Sequence, residues 1–193
     1  MSALRPEADI ELILSERAAN DPLQPFVNLT FHAGISHMDA LISTAREFCA
    51  WCKSEPGTES EEGQKAHSLL TRLYSQALEL DDPAKYDADI EPDRVGDEEW
   101  KEVFARAAAL PFQYYSSYFN PSEVPPENHE IGDLADDVAD IYRDLSAGLA
   151  LIDAGHTAEA QWELRFSFLT HWGRHASGAI RALHCWYVDA YEF

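Results

Sequence analysis

The 193-residue sequence predicts an all-α fold: a single-domain bundle of five to six helices around a long C-terminal helix. Three observations predict it. Apolar residues recur at helical spacing along nearly the whole chain, and strand-type alternation is nowhere sustained. The apolar fraction of 46%, with 11% aromatic, supports a core of useful size without disulfide staples. The last third, Asp133 to Tyr187, reads as two long helices joined by the tight turn Gly155-His156-Thr157.

Residues 7–19 carry the pattern of a short helix, stopped by Asn20-Asp21-Pro22. The chain divides into a variable N-terminal segment, 1–25, and a helical domain, 26–193. The next helix runs from Phe26 or Ile35 to Lys53, burying Phe31, Ile35, Met38, Ile42, Ala45, Phe48 and Cys52. Ser54-Glu55-Pro56-Gly57 ends it. A third helix, from about Ser60 to Leu80, turns Leu69, Leu70, Leu73, Tyr74, Ala77 and Leu78 inward. Residues 81–96, with two prolines and many acids, form an exposed loop. Asp97 is the expected cap of a fourth helix carrying Trp100, Val103, Phe104 and Ala107, broken by Pro111. The aromatic tract from Phe112 to Phe119 reads as a core plug, and Pro121, Pro125 and Pro126 mark a second loop.

Asp133 and Asp136 head the fifth helix, where carboxylates meet the positive end of the helix dipole. Leu134, Val138, Ile141, Leu145, Leu149 and Ile152 give it one apolar stripe. Gly155 is the expected left-handed residue after its end, and Thr157 the expected cap of the sixth helix. That helix continues to about Tyr187. Trp162, Phe166, Leu169, Gly173, Ala176, Ile180, Leu183 and Tyr187 share one face, and Leu164, Phe168, Trp172, Ala179 and Trp186 widen it. So broad an apolar face implies neighbours on two sides, with Gly173 allowing another helix to approach closely.

The tight turn forces these helices antiparallel, and opposed residue numbers then add to roughly 310. Asp140 falls level with Thr170 and His171, Asp136 with Arg174, and Asp144 with Phe166 and Arg165. Acids of one helix meet bases of the other along a seam, which is either a structural zipper or the wall of a site.

Thirty-five acids against fourteen lysines and arginines give a net charge of -21 and a pI of about 4.5. Such a field repels phosphate backbones and anionic lipid, which argues against nucleic acid and membrane surfaces and for a partner with a basic surface. No apolar run is long enough to span a bilayer. The opening, MSALRPEADIELIL, has acids within its apolar stretch and does not read as a secretory signal. Three scattered cysteines make no disulfide framework and fit a cytoplasmic setting. Oligomeric state is not legible.

In a chain this acidic, carboxylate motifs arise by chance. Asp136-Asp137-Val138-Ala139-Asp140 resembles a magnesium-binding DDxxD, but such a match is expected about once from composition alone. Glu59, Glu62, Glu79 and Asp82 resemble the spacing of helical nucleotide pyrophosphatases, yet the two halves lie about 30 Å apart on one helix. Cys49-Ala50-Trp51-Cys52 is a C-x-x-C without a second pair; Cys185 and His184 complete a ligand set only if the helices meet there. His171 and His175 have the i, i+4 spacing that lets two imidazoles grip one ion, and the facing aspartates add to it. The metal-ligand candidates are therefore Asp136, Asp140, His171 and His175.

The run Asp136 to Leu145 (DDVADIYRDL), Trp162-Glu163, His171-Trp172-Gly173 and Ala179 to His184 (AIRALH) resemble an uncharacterised bacterial all-helical family of unknown function. Phe48-Cys49 and Leu69 to Tyr74 match less closely. The resemblance implies an all-helical domain and brings no catalytic residue.

The function these observations favour is a non-enzymatic, cytoplasmic interaction or regulatory domain with no cofactor. The alternative is a divalent-metal-dependent, hydrolase-like enzyme that holds one ion in the Asp/His cluster between the last two helices.

Overall fold

The computed structural model describes residues 36–82, 90–125 and 128–189. The expected helix over 7–19, the variable segment and the burial of Phe31 and Ile35 lie outside those residues. Five helical rods and one small hairpin follow in order. They are α1 (His37–Cys52), α2 (Glu59–Leu78), α3 (Asp97–Ala107), β1 (Tyr114–Ser117), β2 (Glu130–Asp133) and α4 (Leu134–Asp153). The last rod is α5 (Thr157–Ser167), a π-helical turn (Phe168–Trp172) and α6 (Gly173–Asp189), run together without a break. The all-α bundle with a long C-terminal helix is as the sequence predicts.

Three helices start at a side chain that satisfies free N–H groups. The Ser36 hydroxyl accepts from Asp39 N–H at the head of α1. Thr58 and Glu61 form a reciprocal capping box on α2. The Asp133 carboxylate accepts from the N–H groups of Ala135 and Asp136 on α4. Two expected caps move by one residue. Gly96, not Asp97, precedes α3, and His156, not Thr157, precedes α5; neither makes a side-chain cap. Gly155 has φ +85°, the left-handed turn its position calls for.

The core is one cluster drawn from every helix. Leu41, Ala45 and Phe48 of α1 meet Leu69, Leu70 and Leu73 of α2, and Leu134, Val138, Ile141 and Leu145 of α4. Helix α4 packs against α1, α3 and the whole last rod, so it is buried on most of its circumference. Its crossing with α5 is close because Gly148 has no side chain: an added Cβ would lie 2.5 Å from Leu164.

Several expected core positions turn outward. Leu78 is 56% exposed, on the side of α2 away from the buried Ala77. On the last rod the buried line follows Leu164, Phe168, Trp172, Ala176, Ala179 and Leu183. Phe166 and Leu169 face solvent, and Trp162 stacks on Phe166 with centroids 4.5 Å apart. The π turn carries one extra residue, so the buried line steps by four through Leu164, Phe168, Trp172 and Ala176, and Phe166 and Leu169 fall outside it. Gly173 is explained by the same turn. A Cβ there would strike the Phe168 carbonyl and ring of its own helix, so the close approach is within the helix rather than to another one.

The aromatic tract is not a core plug. It forms the hairpin strand β1, paired antiparallel with β2 through Tyr114↔Asp133 to Ser117↔Glu130, with Tyr114 and Phe119 mostly exposed. Gly132 lets the Tyr115 ring lie flat across the pair. The hairpin delivers Tyr115 to the head of α4.

Candidate metal centre

Helix α4 carries aspartates at 136, 137, 140 and 144 behind its cap Asp133, and the last rod packs beside it. Acid and base do meet, displaced from the predicted register by up to one turn. His171 Nδ1 bonds Asp144 at 2.8 Å, and His175 Nδ1 bonds Asp137 at 2.7 Å. Both carboxylates are buried, so their remaining polar contacts matter. Asp137 also accepts from the Tyr115 hydroxyl at 2.6 Å.

With each Nδ1 engaged, each Nε2 points elsewhere, and both point to one atom. Asp140 Oδ2 lies 3.7 Å from His171 Nε2 and 3.7 Å from His175 Nε2. That separation exceeds a hydrogen bond. The three donor atoms lie within 4.8 Å of one another, the only such group among the described residues. Asp140 is oriented by its other oxygen, which accepts from Trp100 Nε1 at 2.8 Å. Arg143, stacked over Trp100, stands 3.9 Å from that same oxygen.

This is the arrangement by which proteins prepare imidazole ligands: a carboxylate accepts the hydrogen bond from Nδ1–H, fixes the tautomer and ring plane, and leaves the Nε2 lone pair free. An ion with bonds of about 2.0–2.2 Å to nitrogen and oxygen sets its ligand atoms about 3.3 Å apart in tetrahedral geometry. The three donor atoms, within 4.8 Å of one another, would have to draw together to hold an ion. His171 is exposed and His175 and Asp140 are half-buried, so the outer side of the cluster is open to solvent.

The π turn builds the cluster. His171 lies inside it and His175 just beyond, with ring centroids 4.8 Å apart. Single π turns within α-helices occur often at functional sites. The electrostatics follow the geometry. Hydrogen bonding to Asp137 raises the His175 pKa against its burial. Burial raises the Asp137 and Asp144 carboxyls above the usual range, opposed by their histidines.

Of the four predicted ligands, three come together and Asp136 does not join them. It sits one turn earlier on α4, beside His175 in a groove of about 230 Å³ that Arg174 also lines. Burial and then the nearby Asp140 carboxylate raise its pKa. The expected Asp136–Arg174 ion pair is absent among the described residues. The Arg174 guanidinium lies 4.1 Å from the centre of the Phe119 ring instead. Arg165 is also away from the seam, donating to the Ala77 carbonyl at 2.7 Å near the C-terminus of α2.

The other motifs resolve as structure. Cys49 and Cys52 are free thiols, and burial pushes Cys49 up to about 11 and Cys52 well above the ordinary value. Cys185 is exposed on α6, and His184 neighbours the His67 ring, so no cysteine ligand set assembles among the described residues. Glu62 is buried in an ion pair with Arg106 at 2.6 Å and accepts from Trp51 Nε1 at 2.9 Å. Sequence reasoning missed Trp100 and Tyr115. Their signal is tertiary, since each reaches α4 from a different element.

Residues 36–189 match the model of the domain of unknown function DUF5063. The chain belongs to this family. No curated protein matches it. The crystal structure of protein BF1032 from Bacteroides fragilis is similar, with a TM-score of 0.62 at 20% identity over 77% of this chain and 90% of that one. At that identity the likeness is one of fold. No described helix is long and apolar enough to cross a membrane.

Proposed function

We propose that this DUF5063 domain holds one divalent transition-metal ion on Asp140, His171 and His175, and works through it. One observation carries the reading: Asp140 Oδ2 and two histidine Nε2 atoms converge, while separate buried carboxylates occupy both Nδ1 positions. A structural zipper needs Asp137 and Asp144 but has no use for two Nε2 atoms aimed at a third carboxylate beyond hydrogen-bond reach.

Two imidazoles and one carboxylate favour zinc or ferrous iron over magnesium. Three protein ligands leave a position for water, whose pKa such an ion lowers toward about 7. A metal-assisted hydrolysis fits this donor set. Three free cysteines suit the reducing conditions of the cytoplasm. The second reading, a non-enzymatic interaction domain for a basic partner, has the net charge of -21 in its favour. The exposed Tyr114, Phe119, Val124 and Ile131 around the hairpin also favour it.

Calorimetric titration of dialysed protein with Zn²⁺ and with Co²⁺ tests the metal reading. One saturable site is expected, weakened at least tenfold by His171→Ala and by His175→Ala at unchanged helix content. An absence of saturable binding, or binding indifferent to both substitutions, favours the interaction domain.

A further inference from the structure

Between β1 and α6 lies a second cavity, of about 430 Å³. That is within the range of small-molecule sites, about 300–1,000 Å³. Its walls are aromatic, from Phe112, Tyr115 and Trp186. They are also preformed. The Trp186 ring rests on α2 where Gly63 has no side chain, and an added Cβ would lie 2.6 Å from that ring. Tyr115 is fixed by its bond to Asp137 and by Gly178, where an added Cβ would come within 2.6 Å of the hydroxyl.

Arg181 is the basic group on this wall. Its state is unusual for this chain, in which acids outnumber lysines and arginines 35 to 14. Every other described arginine and lysine has a partner. Eight reach a carboxylate, Arg165 donates to a carbonyl, and Arg174 lies on Phe119. Arg181 has none among the described residues. Arg181 is exposed at the mouth of the aromatic cavity, so its guanidinium is free to meet a ligand there.

We propose that this cavity binds a small aromatic carboxylate. Its carboxylate pairs with the Arg181 guanidinium, whose planar fork matches that group bidentately. Its ring lies between Tyr115 and Trp186. A singly charged ligand is specified because Asp189 shares the wall and the whole chain is strongly negative, which penalises a phosphate dianion. The cavity adjoins the metal centre through Tyr115, which donates to Asp137, but its ligand needs no ion.

The test is calorimetry on the full chain, stripped of metal with chelator, using three probes of one shape: 1-naphthoate, 1-naphthyl phosphate and 1-naphthylmethylammonium. The proposal expects naphthoate to bind one to one and more tightly than the other two. Arg181→Met should weaken it at least tenfold, and Ala182→Phe, which fills the cavity, should abolish it, both at unchanged melting temperature. Failure of naphthoate to bind overturns the proposal. So does equal or tighter binding of either other probe, or indifference to Arg181→Met. Because no metal is present, none of these outcomes depends on the metal reading.

Discussion

Two polar clusters sit in this helical bundle, and they differ in how completely they are closed. In one, Glu62 is buried between α1, α2 and α3, and each of its oxygens is used. Gly57 N–H donates to one at 2.7 Å, and Trp51 Nε1 and Arg106 share the other. Arg106 in turn donates to the Ser54 carbonyl and lies over the Trp51 ring. Nothing is left for a ligand. In the other, both oxygens of Asp137 are used, by Tyr115 and His175, and one oxygen of Asp144 is used by His171. Asp140 Oδ2 and both Nε2 atoms are left facing one another, too far apart to bond and open to solvent. The two clusters thus differ in the donors they leave over, and only the second has any to offer a ligand.

The sharpest break of this comparison is at the closed cluster. Glu62→Ala orphans Arg106 and should cost about 3–5 kcal/mol in urea denaturation. The same residue gives an acid signature. Burial raises its pKa, but Arg106 and the Gly57 N–H outweigh that and hold it below the usual carboxyl range. A depressed folded-state pKa contributes stability above the unfolded value and loses it as pH falls. Wild-type stability should therefore drop below about pH 4.3. Part of that drop should be missing in Glu62→Gln, whose melts at neutral pH are already lower.

The next effect concerns the scaffold under the open cluster. Gly148→Leu drives a side chain into Leu164 where α4 and α5 cross, and should cost about 1–3 kcal/mol by thermal melting. Gly173→Ala is smaller in volume but acts on the π turn, because its Cβ meets the Phe168 carbonyl. It should cost about 1–2 kcal/mol. It should also weaken metal binding at least tenfold, as the turn relaxes and His171 leaves Asp144.

The smallest effect on stability is expected at Asp140 itself. Asn keeps the acceptor for Trp100 Nε1, so Asp140→Asn should change the metal-free protein by about 1 kcal/mol or less. It should nevertheless remove the ion. A loss as large as that of Glu62→Ala would make the two clusters alike and erase the distinction.

Much of the scaffold was legible from residue chemistry alone. Gly155 between two apolar stripes announced the antiparallel pair, and the Asp and His spacings announced a seam. Three of the four candidate ligands, Asp140, His171 and His175, converge. The register was not legible, because it depends on the π turn, whose only trace is Gly173 after four bulky residues and a threonine. The hairpin was missed because four-residue strands of Tyr-Tyr-Ser-Ser and Glu-Ile-Gly-Asp carry no clear alternation. Asp136 was drawn into the ligand set by its spacing from Asp140, although the histidines approach α4 one turn later. Trp100 and Tyr115 orient the site from outside the seam, and contacts of that kind leave no local pattern.

X-ray absorption spectroscopy of the zinc-loaded protein tests the central claim most directly. The account predicts one zinc per chain in a shell of nitrogen and oxygen only, at about 2.0–2.2 Å, including two imidazoles. Asp140→Asn should remove that signal. Sulfur in the shell at about 2.3 Å, or the same shell in the His171→Ala, His175→Ala double variant, would contradict it.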